Sequence, residues 1–159
     1  MKENIQKSTL SFSCSKKMEW LRTPTPIWDK LSKEYNFTVD ICASDNNHLL
    51  PKYYTKENSA FNYSWANEVA YIHPLFDSKI GWFVEKAFHT KPITAVFLLP
   101  ASTHTKYFHE WFYHNPNCEI TFLRLPKGGH RFGLEDGSDH QAKIGYIKGL
   151  MICVIKNAP

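Results

Sequence analysis

The sequence predicts a compact α/β domain in which helices flank a mainly parallel β-sheet. Strand-like and helix-like segments alternate through the middle of the chain, an order typical of right-handed βαβ units. One unbroken apolar run, residues 93–99, is typical of a strand covered on both faces of the sheet. At 159 residues the chain has the length of one domain, which would bury about two thirds of its unfolded surface.

Composition supports a single folded unit. Residues 1–13 are polar and show no hydrophobic period, so we predict a flexible N-terminal arm followed by one domain over residues 14–159. Hydrophobic residues make up 43% and charged residues 21% of the chain, which argues against extensive disorder. The net charge of +4 allows a polyanionic partner without requiring one, and it argues against an acidic DNA mimic.

The cysteines and histidines show no metal-binding or disulfide pattern. The four cysteines, Cys14, Cys42, Cys118 and Cys153, are far apart and form no C-x-x-C pair. Between Glu110 and His114 stand three residues, where the zinc-protease helix motif needs two. We therefore expect no metal site. The chain also lacks a long apolar run and an apolar signal-peptide segment, which predicts a cytoplasmic protein without a membrane span.

The first predicted elements are a helix and a strand. Thr25 is placed to cap a helix that has Pro26 in its first turn and extends to about residue 34. The β-branched segment 37–41 predicts a strand, and the small residues after it predict a turn that carries Asp40 and Ser44. Residues 45–67 have weak periodicity and predict a loop with short irregular pieces.

The middle of the chain gives the clearest pattern. Residues 69–72 predict a second strand, and Asp77 or Ser78 is placed to cap the helix that follows. The apolar residues of that helix have the spacing i, i+3, i+4, i+7, i+8: Ile80, Phe83, Val84, Ala87 and Phe88. The third predicted strand is the apolar run 93–99, which ends at Pro100.

The C-terminal third predicts a helix over 103–112, a strand over 119–125, a Gly-rich polar loop over 126–140 and a final strand over 149–155. In the loop, Lys127, His130 and Arg131 are basic and neighbour an aromatic residue, a combination suited to contacts with phosphates and a base. A charged hairpin loop without a binding role fits these residues equally well.

The turn that ends the second strand, residues 71–76, is the predicted centre of the site, because open α/β sheets bind ligands at the carboxyl ends of their strands. No dinucleotide, P-loop or hydrolase motif occurs in the chain. An enzyme that methylates an exocyclic base amine needs an acceptor side chain, a rigid backbone carbonyl and an aromatic ring for stacking. His73, Pro74 and Phe76 supply these three groups in that order.

Around this turn the chain resembles a known family, the small phage-type DNA N6-adenine methyltransferases, or phage Dam family. The resemblance covers about Trp20 to Ile155 and rests on several motifs in the family's order. These are Trp20-x-x-Thr23-Pro24, Phe37-x-Val39-Asp40-Ile41-Cys42-Ala43-Ser44, Tyr53-Tyr54-Thr55-x-Glu57, Trp65, the turn 71–76, and Leu98-Leu99-Pro100-Ala101-Ser102-x-x-x-Lys106-Tyr107-Phe108.

The resemblance implies a Rossmann-like methyltransferase fold that binds S-adenosylmethionine, with DNA as the partner. It implies that Thr23 and Pro24, together with the strand end at Asp40, Cys42, Ala43 and Ser44, line the cofactor pocket. It also implies that the turn holds the target adenine, with His73 and Pro74 as amine acceptors and Phe76 as the stacking ring.

The chain departs from the family pattern in the turn itself. His73 stands where the family has Asn or Asp, and Leu75 stands where it has a second proline. A neutral imidazole has a single acceptor nitrogen, so His73 accepts an amine hydrogen bond in one tautomer alone. An alternative hypothesis is therefore an inactive methyltransferase-like protein that binds DNA, the cofactor or a host protein. A methyltransferase acting on another base or a small molecule is a third hypothesis.

Overall fold

The computed structural model describes residues 22–133 and 146–157. Five strands form one sheet: β1 Val39–Asp40, β2 Val69–Ile72, β3 Thr94–Pro100, β4 Cys118–Phe122 and β5 Leu150–Lys156. Their order across the sheet is β1-β2-β3-β5-β4. The first three strands are parallel, whereas β5 runs antiparallel to both β3 and β4. The protein thus has a mixed α/β fold with the predicted parallel pairing at the β1 side.

Two α-helices accompany the sheet: α1 Thr25–Glu34 and α2 Ile80–Thr90. A short 3₁₀-helix covers Ala60–Asn62, and a π-helical turn covers Phe108–Phe112. The prediction that Thr25 caps α1 is wrong, because Pro24 occupies the N-cap position and no side chain caps this end. At α2 the N-cap residue is Lys79, whose backbone N–H donates to Asp77 Oδ1 at 2.8 Å.

Three other predicted boundaries also needed correction. The first strand is shorter than predicted and contains two residues, because the chain turns away after Asp40. The fourth strand ends at Phe122, three residues before the predicted end. The helix predicted over 103–112 begins at residue 106, and from Phe108 to Phe112 its backbone adopts a π-helix. The predicted N-terminal arm, residues 1–13, lies outside the described residues.

The core lies on both faces of the sheet because side chains alternate along each strand. In β3, Ala95, Phe97 and Leu99 pack on the face covered by α2 and the π-helical turn. Val96 and Leu98 pack on the opposite face, together with Leu31 of α1. This three-layer arrangement confirms that the central apolar run is a strand covered on both sides.

Within residues 22–133 and 146–157, no helix has the length and apolar character needed to cross a membrane. The same residues contain no group of three His, Cys, Asp or Glu side chains that could hold a metal ion.

Trp65 provides a test of the core. It is fully buried, and its indole Nε1 donates to the backbone oxygen of Ala60 at 3.0 Å. Trp65→Ala should lower the free energy of unfolding by about 3–5 kcal/mol, because it leaves a large cavity in the core. Trp82, 59% exposed, is the matched control, and its replacement by alanine should cost less than about 0.5 kcal/mol. Equal shifts in urea denaturation would contradict this assignment of the core.

Candidate active site

A cavity of about 580 Å³ opens at the carboxyl ends of β1 and β2. Its volume lies within the range of small-molecule and cofactor sites, roughly 300–1,000 Å³. Eight of the predicted site residues border it: Thr23, Asp40, Cys42, Ala43, Ser44, His73, Pro74 and Phe76. The parallel pairing of β1 with β2 explains this convergence, because both strands end at the same edge of the sheet.

One end of the cavity is aromatic. The His73 ring stacks on Phe132 with a centroid distance of 5.7 Å and an interplanar angle of 23°, and Phe76 lies tilted at 5.5 Å from His73. Tyr146 completes the group, at 5.7 Å from Phe76 and 5.8 Å from Phe132. Such a group of π faces offers a surface on which a planar base can stack.

A short chain of hydrogen bonds runs behind this aromatic group. Thr23 Oγ1 lies 2.6 Å from Tyr71 Oη and 3.1 Å from His73 Nδ1. Burial lowers the pKa of His73 to about 4, because charging the imidazole in this apolar surrounding is unfavourable. The ring is half-buried by surface area, since its free edge borders the cavity. His73 is therefore a neutral hydrogen-bonding group at physiological pH.

The residues after His73 form the rest of the turn. Pro74 is buried and borders the cavity, and its carbonyl accepts no hydrogen bond from the described residues. Leu75 is 41% exposed, and its carbonyl accepts the backbone N–H of Asp77 at 2.8 Å. Pro74 thus borders the cavity and has a carbonyl without a hydrogen-bond donor among the described residues.

Asp40 supplies a buried carboxylate at the other end. It is 3% exposed, and its oxygens accept the backbone N–H groups of Leu49 at 3.0 Å and Cys42 at 3.4 Å. Burial raises the pKa of Asp40 to about 6, against the opposing effect of these two hydrogen bonds. The group is ionised at neutral pH, and a cationic ligand in the cavity would stabilise that form.

The turn after β1 brings backbone close to the cavity. The Ala43 N–H donates to the Tyr54 carbonyl at 2.9 Å, which fixes the turn against the following loop. Ser44 Oγ is buried and has no hydrogen-bond partner within the described part of the chain. Burial raises the pKa of the Cys42 thiol, and the nearby Asp40 charge raises it further, so Cys42 is neutral and unsuited to nucleophilic chemistry.

Pro24 is not among the residues that border the cavity. It is buried at the start of α1, where its carbonyl accepts the N–H groups of Ile27 and Trp28. In this position Pro24 holds the helix end next to Thr23. A contact between Pro24 and a cofactor stays a prediction.

The described part of the predicted basic loop, residues 126–133, is held by backbone pairing, and residues 134–140 lie outside the described residues. His130 forms an antiparallel bridge with Tyr146, through backbone hydrogen bonds of 2.9 and 2.8 Å. The bridge leaves His130 6% exposed, and burial lowers its pKa. Lys127 is exposed and Arg131 is half-buried. DNA contact by these three residues stays a prediction, and Lys127 has the most accessible side chain of them.

Several aromatic residues that border the cavity were not predicted as site residues, among them Tyr54, Phe132 and Tyr146. Phe132 and Tyr146 reach it because residues 130–133 pair with Tyr146 on one side and Arg22 on the other. These isolated bridges join distant parts of the chain and leave no periodic pattern. The one available signal was the position of Phe132 at the end of the basic loop.

Comparison with known proteins gives one positive result. The family model described as DNA N-6-adenine-methyltransferase (Dam) matches residues 11–157. No curated protein and no solved structure matched the chain. The match spans nearly the whole chain and includes the β1 turn, the β2 turn and the basic loop, which together border or adjoin the cavity. The chain therefore belongs to the DNA N-6-adenine-methyltransferase (Dam) family.

Proposed function

We propose that this protein transfers a methyl group from S-adenosylmethionine to the N6 amine of adenine in DNA, within a Rossmann-like methyltransferase fold. The observation that carries the proposal is that one cavity contains both the β1 turn, with Asp40, and the β2 turn, with His73, Pro74 and Phe76. Encoded by a phage and acting in the host cytoplasm, such an enzyme would mark the phage DNA against restriction.

The β1 end of the cavity fits the cofactor. S-adenosylmethionine is cationic and carries hydroxyl groups, and the ionised Asp40 carboxylate would accept hydrogen bonds from such groups. Ser44 Oγ, which borders the cavity and has no partner in the described part of the chain, is available to a ligand as well. Cys42 and Ala43 are small, so the backbone of this turn can approach a bound molecule closely. Thr23 and Pro24 would complete this pocket.

The β2 end fits a base that has been flipped out of the DNA. Phe76 would stack on the base, and the free Pro74 carbonyl would accept a hydrogen bond from its amine. His73 would hydrogen-bond to the edge of the base, and it would stay neutral because of its low pKa. Lys127 and Arg131 would contact the DNA backbone, whereas the buried His130 would hold this segment against Tyr146.

The reaction then needs no general base from the protein. When bound, the cofactor would supply an electrophilic methyl group. The N6 lone pair would attack the methyl carbon while the carbon–sulfur bonding electrons stay on sulfur, and the resulting cationic N6 would lose a proton to water. The turn contributes by holding the amine in line and by accepting its hydrogen bond as N6 becomes positive. Exclusion of water by the aromatic group strengthens these interactions.

A second candidate function is binding without transfer, to DNA, the cofactor or a host protein. The observation that favours it is the departure from the family pattern at His73 and Leu75. Leu75 leaves the turn less rigid than a second proline would, because proline fixes its own φ.

The proposed activity predicts label transfer from methyl-labelled S-adenosylmethionine to N6-methyladenine in unmodified DNA. His73→Ala should lower kcat/KM by about 100-fold, because it removes a hydrogen-bonding group that holds the edge of the base. His104→Ala, at an exposed histidine away from the cavity, should leave the rate unchanged. The measurement is nucleoside analysis of the digested DNA.

A double variant separates the two candidate functions. His73→Asn with Leu75→Pro restores the family pattern in the turn. If the wild type binds the cofactor without transferring label while the double variant transfers it, the protein is a binding protein and the proposed activity is wrong. If neither protein binds the cofactor, the assignment of the cavity is wrong.

Cofactor affinity should depend on pH through Asp40. With a pKa of about 6, this carboxylate is protonated at lower pH and loses its attraction for a cationic ligand. Affinity should thus fall from pH 7 to pH 5, by up to about tenfold for each pH unit below 6. His73 stays neutral in this window because its pKa is about 4.

Asp40→Asn is the control for this pH dependence, and it should bind weakly with little change between pH 5 and 7. Isothermal titration calorimetry measures both profiles, and thermal denaturation verifies that the variant is folded. A wild-type profile that is flat over the same window would remove Asp40 from the cofactor pocket.

A further inference from the structure

The burial of Tyr71 and Thr23 and their hydrogen-bond partners determine which group donates in each hydrogen bond behind His73. Tyr71 is 1% exposed and Thr23 6% exposed, so water does not compete for either hydroxyl. Thr23 Oγ1 lies within hydrogen-bond distance of both Tyr71 Oη and His73 Nδ1. A threonine hydroxyl has one hydrogen and two acceptor lone pairs, so it can donate to one of these neighbours at most and can accept from one or both.

Three arrangements are possible, and they differ in the number of buried hydroxyl hydrogens that are bonded. In the first, Tyr71 donates to Thr23, which donates to His73 Nδ1, so that both hydroxyl hydrogens are bonded. In the second, His73 Nδ1–H donates to Thr23, which donates to Tyr71, and the Tyr71 hydroxyl hydrogen has no acceptor among the described residues. In the third, Tyr71 and His73 Nδ1–H both donate to Thr23, and the Thr23 hydroxyl hydrogen has no acceptor among the described residues. Buried polar hydrogens are almost always bonded, so the first arrangement is favoured.

The nearest charged group does not offer Tyr71 another acceptor. The Asp40 carboxylate raises the pKa of Tyr71, in addition to the larger effect of burial, which shows that the two groups are close. Its oxygens nevertheless accept the N–H groups of Cys42 and Leu49, and they form no hydrogen bond with Tyr71. Thr23 is the one hydrogen-bond partner of the Tyr71 hydroxyl within the described residues.

We propose that Thr23 fixes His73 in the tautomer with hydrogen on Nε2, so that His73 donates a hydrogen bond into the cavity beside the accepting carbonyl of Pro74. Nε2 has no partner within the described residues, and His73 borders the cavity. This proposal rests on the proposed function, and it reverses the acceptor role expected for His73 from the sequence. Thr23 is a positioning residue in this arrangement.

A donor next to an acceptor selects bases by their Watson–Crick edge. Adenine presents the ring acceptor N1 beside the amine N6, which matches His73 and Pro74. Cytosine presents the same pair at N3 and N4, so cavity size must separate it from adenine. Guanine and thymine present a ring N–H beside a carbonyl, and that edge would place donor against donor and acceptor against acceptor. The turn would therefore reject guanine and thymine.

The tautomer is measured directly by two-bond ¹H–¹⁵N correlation spectra of ¹⁵N-histidine-labelled protein at pH 7, with the His73 signals assigned from a His73→Gln sample. The expected pattern is a protonated Nε2 and an unprotonated Nδ1. A protonated Nδ1 would overturn the proposal. Thr23→Val should move the Nδ1 signal to that of an unbonded imidazole nitrogen, whereas Thr90→Val, in α2, should leave it in place.

Base reading is tested with adenosine and 1-deazaadenosine, which lacks the N1 acceptor. Adenosine should shift the His73 Nε2–H signal and 1-deazaadenosine should not. Equal shifts, or no shift with either nucleoside, would contradict the proposal.

In random-sequence duplexes with 1-deazaadenine in place of adenine, methyl transfer should fall at least tenfold, and undiminished transfer would also contradict the proposal. A shift with adenosine but no transfer to normal DNA would reject the proposed activity and retain the base-reading role.

Discussion

The site depends on the parallel pairing of β1 with β2. Val39 lies opposite Ala70 and Asp40 opposite Tyr71, so the strand ends meet at one edge and their turns face a common cavity. Because side chains alternate along a strand, a slip of one residue would exchange the two faces of β1. Asp40 would then leave the N–H groups that hold it, and the cavity would lose its buried carboxylate. Two short strands therefore determine the geometry of both ends of the cavity.

The parts of the fold that could be predicted are those with a strong periodic signal. β2, α2, β3 and β5 lie within one or two residues of their predicted positions, because buried strands and amphipathic helices leave long apolar patterns. β1 and the π-helical turn were less predictable, since they are short and tertiary contacts set their ends. The antiparallel direction of β5 also leaves no signal in the sequence, because a buried strand is apolar in either direction.

In the site, the same contrast separates what sequence could and could not predict. Asp40 and His73 were found because they follow predicted strands, and parallel strands bring their ends together. Phe132 and Tyr146 were missed because isolated backbone bridges hold them, and nothing local marks such long-range pairs. Those bridges also turn His130 inward. A polar, Gly-rich composition predicts a loop, but it does not predict the backbone bridges at His130 and Gly133 that bring Phe132 to the cavity.

In the proposed reaction, His73 would affect the rate of methyl transfer and the selectivity for the base in different ways. An amide side chain offers both an acceptor and a donor, whereas a neutral imidazole with Thr23 on Nδ1 offers a donor alone to the cavity. The Pro74 carbonyl is then the one acceptor that the turn provides for the adenine amine. With one of the two amine hydrogens bonded, the N6 lone pair is less firmly aligned for transfer, and loss of one such contact typically slows a reaction by about 10²–10³-fold. The His73 Nε2–H would meanwhile donate a hydrogen bond to the ring nitrogen N1, which an acceptor side chain cannot do. His73 should thus lower the rate of methyl transfer while it retains, or increases, selectivity for adenine over guanine and thymine.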